Sequence, residues 1–183
     1  MVGSMNRLSA VVVLSLVFSL AAETAAAQDK RGFAVNVGVG ISQIKDKDGA
    51  DKFDGNAFGY TLGGEFRFNE NFALGFGVFG LGTADDDFNG VNTDIEVNGT
   101  EINMRFIMPV NDSLEFFGKV GSAWYTADLE PGGSNGLGDT AIDFGLGLDI
   151  GRGNLTFRLA GTYFDGTKNE SGALISAGIN YRF

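Results

Sequence analysis

The chain of 183 residues contains no cysteine and no histidine, which excludes a disulfide framework, thiolate metal sites and Ser-His or Cys-His nucleophile pairs. Its 23 acids outweigh 13 bases, for a net charge of −10, and 29 glycines with 17 phenylalanines stand beside only two prolines. The length suits a single domain.

The first residues predict a secretory signal. Arg7 supplies a basic start, Leu8 to Ala22 form an apolar run, and Ala25-Ala26-Ala27 offer an A-x-A cleavage site before Gln28. The run falls short of the roughly 20 residues that a spanning helix needs. Residues 1–27 are therefore expected to be cleaved, leaving 28–183 as one domain; Met5 is an alternative start.

From Gln28 onward the apolar spacing is two rather than 3.6, and eight segments carry it. The first places Phe33, Val35, Val37, Val39 and Ile41 on one face. The second places Phe58, Tyr60, Leu62, Phe66 and Phe68 there. The third runs over Phe72, Leu74, Phe76 and Val78, and the fourth over Ile102, Met104, Phe106 and Met108. The fifth carries Leu114, Phe116, Gly118, Val120, Ser122 and Trp124, and the sixth Ile142, Phe144, Leu146, Leu148 and Ile150. The seventh carries Leu155, Phe157, Leu159 and Tyr163, and the last Ala173, Ile175, Ala177, Ile179, Tyr181 and Phe183. Parity slips above Gly99, where Ile95 and Val97 fall on the other face, so a bulge or a membrane edge is expected there.

Connections alternate in length. Tight turns are expected at 69–71, 109–113 and 151–154, and longer ones rich in Asp, Gly and Asn at 43–56, 84–98, 127–140 and 165–171. Alternation alone also fits a soluble sandwich or a lipocalin-like barrel. The oily face, however, holds about 35 bulky side chains, more than an eight-strand interior accommodates, although a two-layer sandwich could still bury them. Aromatic residues also fall into two belts. Phe33, Phe66, Phe68, Phe72, Phe106, Phe116, Phe157, Tyr181 and Phe183 lie at the short-turn end, and Phe58, Tyr60, Trp124 and Tyr163 at the loop end. Together with the signal, this predicts an all-β fold: an eight-stranded antiparallel up-and-down transmembrane β-barrel, oily face outward, both termini on the short-turn, periplasmic side.

The pattern, closing on Tyr181-Arg182-Phe183, resembles the small eight-stranded bacterial outer-membrane proteins: the OmpA transmembrane domain, OmpX and the opacity-type porins. The resemblance spans the mature chain and rests on no catalytic motif. It implies an integral protein of the outer membrane, and an assembly signal at Ile179, Tyr181 and Phe183 read by the barrel-assembly machinery. The chain reaches Phe183 with its last strand, so the peptidoglycan tether of full-length OmpA is not carried over.

Charges sort by expected position. The lumen receives Arg67, Arg105, Lys119, Arg158 and Arg182 against Glu65, Glu101, Glu115, Asp143 and Asp149, which cancel. The short-turn end also cancels, with Asp29, Glu70 and Asp112 against Lys30, Arg31 and Arg152. The long connections hold fourteen acids and only Lys45, Lys47, Lys52 and Lys168, and so carry the whole −10. Hairpin register sets Arg105 diagonal to Glu115, Glu101 diagonal to Lys119, and Asp149 diagonal to Arg158. These ten groups are expected to form an ion-pair network that plugs the lumen, or gates it if the pairs exchange partners. Inward glycines such as Gly38, Gly75 and Gly147 leave room for water.

No defined metal motif is present. Asp46, Asp48 and Asp51, with Asp85, Asp86 and Asp87, are weak candidate ligands for a hard cation; Gly49 is misplaced for an EF-hand and no Glu closes the loop. No cofactor is implied. Barrel enzymes of this membrane use a His-assisted site by family resemblance, so catalysis is not expected. The expected role is structural (membrane integrity) or surface interaction of an adhesin-like kind through the acidic loops; the alternative is a narrow passive porin gated by the lumen pairs. Expected partners are outer-membrane lipid and lipopolysaccharide, bridged by divalent cations, with a monomeric barrel and no nucleic acid.

Overall fold

The computed structural model describes residues 31–46, 53–88, 91–130, 137–167 and 170–183. The expected signal segment 1–27 lies outside these residues, as do Asp48 and Asp51. Eight strands follow in order: β1 (Gly32–Asp46), β2 (Phe53–Arg67), β3 (Phe72–Phe88), β4 (Val91–Asn111), β5 (Leu114–Glu130), β6 (Leu137–Ile150), β7 (Leu155–Gly166) and β8 (Glu170–Arg182). Each pairs antiparallel with the next, and β1 pairs with β8 from Ala34↔Arg182 to Asp46↔Glu170, closing the barrel.

The oily parity faces outward on every strand. Ile41, Phe58, Leu146 and Ile175 are each about 70 % exposed, at 69 %, 68 %, 75 % and 74 %. A continuous apolar belt of this kind is untenable in water and suited to lipid. The inward parity holds the charges and most glycines, and closure satisfies the backbone groups that lipid could not.

Local chemistry sets the short turns. The Asn69 side-chain oxygen accepts from the N–H groups of Asn71 (2.8 Å) and Phe72 (3.0 Å), and that of Asn111 accepts from Ser113 N–H (2.8 Å). Gly151 and Gly153 take positive φ in the third turn, at 151° and 74°. The middle turn is tighter than expected. β4 continues through Pro109 to Asn111, with a register shift between Pro109 and Asn111, and only Asp112 and Ser113 turn the chain.

At the other end the strands outrun the sequence expectation. The four long connections shrink to the short stretches between strand ends, because pairing continues to Asp46↔Phe53, Phe88↔Val91 and Asp165↔Ser171. Asp85, Asp86 and Asp87 accordingly sit in β3, opposite Asp94, Thr93 and Asn92, rather than in a loop.

The bulge expected near Gly99 lies across the ladder on β3. Register shifts between Gly80 and Gly82, leaving Leu81 as the extra residue beside Asn98 and Val97. Gly82 has φ 77°, and a Cβ there would stand 2.3 Å from the Phe58 carbonyl oxygen. The Ser42 hydroxyl donates to the Leu81 carbonyl, satisfying the group that the bulge turns inward. β2 and β3 pair only as far as Tyr60↔Gly80, although β3 continues against β4 to Phe88. On β4, odd parity stays inward throughout, so Val97 is buried in the lumen by design of the strand and not by a slip.

The β1–β8 seam is the tightest. A Cβ at Gly40 would lie 1.9 Å from the Ile175 carbonyl oxygen, and one at Gly178 2.0 Å from that of Val37. Gly161, by contrast, has nothing within 4 Å. Gly40→Ala and Gly178→Ala are expected to lower barrel stability by about 1–3 kcal/mol each, the usual cost of overpacking. Gly161→Ala should be neutral. Urea midpoints of the three refolded variants check this ordering.

Candidate functional site

The lumen is the site that the fold constructs, and it is divided in two along its length. The half nearest the short turns is charged. The Arg67 guanidinium donates to both Glu115 carboxylate oxygens, from Nη1 at 2.9 Å and Nη2 at 3.3 Å, across the barrel from β2 to β5. It also reaches the turn carbonyls of Asn69 (3.1 Å) and Glu70 (2.5 Å), so one buried side chain fixes both the plug and the β2–β3 turn.

One step further in, Glu65 accepts from two guanidiniums. Arg105 Nη1 and Arg158 Nη2 (3.2 Å) both reach Glu65 Oε2. Arg158 also grips Asp149 with a bidentate pair, Nε to Oδ1 at 2.7 Å and Nη2 to Oδ2 at 2.8 Å. The buried Phe117 ring lies beneath both arginines, with its centroid 3.6 Å from Arg105 Cζ and 5.2 Å from Arg158 Cζ. Above them, Lys119 Nζ pairs with Glu101 at 2.7 Å and stands 3.5 Å from Asp143, while Asn103 donates to Glu101 at 3.1 Å.

All ten residues of the expected network occupy the inward parity, but their partners differ from the hairpin-based expectation. Arg105 does not meet Glu115: it lies directly opposite Lys119 in the ladder and reaches Glu65 across the lumen, while Glu115 is taken by Arg67. Asp149 and Arg158 are direct ladder partners, not diagonal ones. Glu101 does bond Lys119. Arg182 is buried and inward, yet no ion pair joins it to the network among the described residues. Of the expected assembly residues, Ile179 faces outward opposite Val37, and Tyr181 pairs with Val35. The side chains of Asp46 and of Asp85–Asp87 lie outside the description, and no group of three metal-ligating side chains occurs among the described residues.

Sequence reasoning missed the second half of the lumen, which is apolar. Phe79 on β3 and Phe164 on β7 stack across it with centroids 4.4 Å apart and planes at 21°. Leu81, Val97, Tyr125 and Leu174 pack with them, along with Ile44. Lys119 Nζ, 6.0 Å from the Phe164 ring centroid, marks the boundary between the halves. The signal was available: Phe79 continues the parity of Gly75 and Gly77, and Phe164 that of Thr162. Each lies one residue beyond the segment that period two delimits.

Removing a carboxylate that two buried guanidiniums share leaves both charges uncompensated. Glu65→Gln is expected to destabilise the barrel by about 3–5 kcal/mol. Lys119→Ala should cost less, because Lys119 and Glu101 keep 11 % and 14 % of their side-chain surface exposed against 2 % for Glu65. Denaturant unfolding in lipid vesicles compares the two.

The family model described as outer membrane protein beta-barrel domain matches residues 11–183. No curated protein sequence matches. Among solved structures, the neisserial surface protein A is similar with a TM-score of 0.63 at 17 % identity, over 83 % of this chain and 97 % of that one. Ail, the attachment invasion locus protein of Yersinia pestis, solved with the heparin analogue sucrose octasulfate, gives 0.56 at 18 % identity, over 83 % and 99 %. OprG of Pseudomonas aeruginosa gives 0.55 at 12 % identity, over 84 % and 97 %. At these identities the structures speak to the fold, whereas the family match spans nearly the whole sequence: the chain belongs to the outer membrane protein β-barrel domain family and is an integral outer-membrane barrel.

Proposed function

We propose that this barrel is a sealed, non-enzymatic membrane scaffold that acts through its loop-end surface, serving membrane integrity and contact with neighbouring surface molecules. The observation that carries the reading is the occupied lumen: the Arg105–Glu65–Arg158–Asp149 chain spans the charged half, and the Phe79–Phe164 stack crosses the apolar half. An ion crossing this path would have to part several buried pairs and then enter a hydrocarbon-like section, both steeply unfavourable. In this reading both termini lie in the periplasm and the acidic strand ends lie outside the cell.

Planar-bilayer recordings of the refolded protein should be silent, and should stay silent for Lys119→Ala, whose loss leaves the other pairs and the aromatic stack in place. Steady small openings in the wild-type protein would instead establish the narrow porin.

The partner chemistry follows from charge. Ail was solved with a sulfated ligand, but the loop-end segments here carry net −10, which repels a polyanion unless cations intervene. Part of that charge sits on ordered strands: Glu96 accepts from Asn98 at 2.8 Å, and Asp139 from the Thr167 hydroxyl at 2.6 Å. We infer divalent bridging between these carboxylates and lipopolysaccharide phosphates. Chelation with EDTA is expected to lower the thermal stability of the barrel in lipopolysaccharide-containing bilayers and to leave it unchanged in phospholipid alone. Equal stability with and without EDTA in both bilayers would remove this role.

A further inference from the structure

The apolar half of the lumen is not completely filled. A cavity of about 130 Å³ lies among Ile44, Leu81, Val97 and Tyr125, with Phe79 and Phe164 as its walls. Its remaining surface is Ile95, Ala127, Ala141 and the backbone of Gly166 and Gly172, while Lys45, Ser171 and Tyr125 are the lining residues that carry a polar side-chain group. The Ser42 hydroxyl nearby is already committed, to the carbonyls of Leu81 and Ala57 (3.2 Å).

We propose that this cavity is a binding site for a small uncharged apolar molecule of about one aromatic ring. Three observations converge on that chemistry. The volume is close to the roughly 150 Å³ of an engineered Leu/Ile/Phe-lined cavity that stays dry and takes benzene. Of the charged groups nearby, Lys45 in the lining belongs to the outward parity of β1, with Val39 and Ile41, and the Lys119 ammonium beyond the lining is bonded to Glu101 at 2.7 Å, so neither has much to offer an anionic guest. The stacked Phe79 and Phe164 rings present flat aromatic surface to a guest ring, and ligand sites combine such walls with a few polar groups. Water gains little there, because a stable buried water needs two to four polar partners. This inference concerns an occupant of the lumen and is independent of whether the loop-end surface has a partner.

The test uses fluorobenzene as probe, followed by ¹⁹F NMR, with the full-length barrel in lipid nanodiscs and empty nanodiscs to subtract partition into lipid. The wild-type protein should show a saturable shift that toluene displaces and benzenesulfonate does not. Ala141→Phe places a ring inside the cavity and should abolish the saturable component while the barrel keeps its heat-modifiable migration. Ala127→Phe fills the same space from β5 and serves if the first variant does not fold. A shift that rises linearly with probe in the wild-type protein overturns the proposal. So does saturable binding that a folded cavity-filling variant leaves intact.

Discussion

The barrel depends on how its interior charges are neutralised. Sheet alternation with one face in lipid sends the charged side chains of the spanning strands into a narrow tube, where solvation is poor and an isolated charge would be intolerable. The structure answers with sharing. Glu65 serves two guanidiniums, one of which also holds Asp149, so side chains from β2, β4, β6 and β7 form a single connected unit. Glycines on the same parity make this possible, since long side chains can cross the lumen only where neighbouring strands contribute no bulk. Arg67 extends the arrangement to the periphery by clasping two turn carbonyls, which couples the geometry of a surface turn to that of the interior.

Above Lys119 the same tube obeys different rules. There the inward side chains are aromatic and aliphatic, the cohesion is dispersion and exclusion of water, and no pairing geometry is demanded. The two halves are complementary. Directional ion pairs hold neighbouring strands in register, and the apolar packing tolerates the bulge at Leu81, where register is lost by one residue. An all-charged lumen would have had to satisfy that irregularity with further partners; here a serine hydroxyl is sufficient.

The spanning part of the fold was legible in the sequence because lipid imposes a period of two: from Phe33 to Ile41 or Ile142 to Ile150, every outward position is apolar, and a small polar residue such as Ser122 interrupts the pattern without breaking it. Beyond that belt the rule lapses. Where strands leave the lipid, outward positions such as Glu96 become polar and inward ones such as Val97 become apolar, so the alternation inverts and looks like a loop or a slip. Phe79 and Phe164 fell at this crossover. Pair geometry was legible only within a hairpin. Arg158 could be placed beside Asp149 to within one step because a four-residue turn joins their strands. Arg105 could not be placed on Glu65, since that contact spans 40 residues and depends on how the closed sheet curves around the lumen. Glu101 and Lys119 lie in one hairpin and do bond, although the ladder sets Glu101 opposite Ala123 and Lys119 opposite Arg105, further apart than the diagonal step that the turn suggests.

The seam between the first and last strands carries a consequence for how such a molecule comes into being. Thirteen residue pairs join β1 to β8, and none can form before the final strand has been made. Until then both flanking strands are raw edges, each with a row of backbone donors and acceptors that neither lipid nor a hydrocarbon core can satisfy. A seven-stranded precursor is therefore not a slightly weakened barrel but an open sheet with sticky sides. Folding is all-or-none in topology, dominated by its longest-range contact, and slow by that measure. The chain must be kept apart from its own copies for as long as the ring remains unclosed.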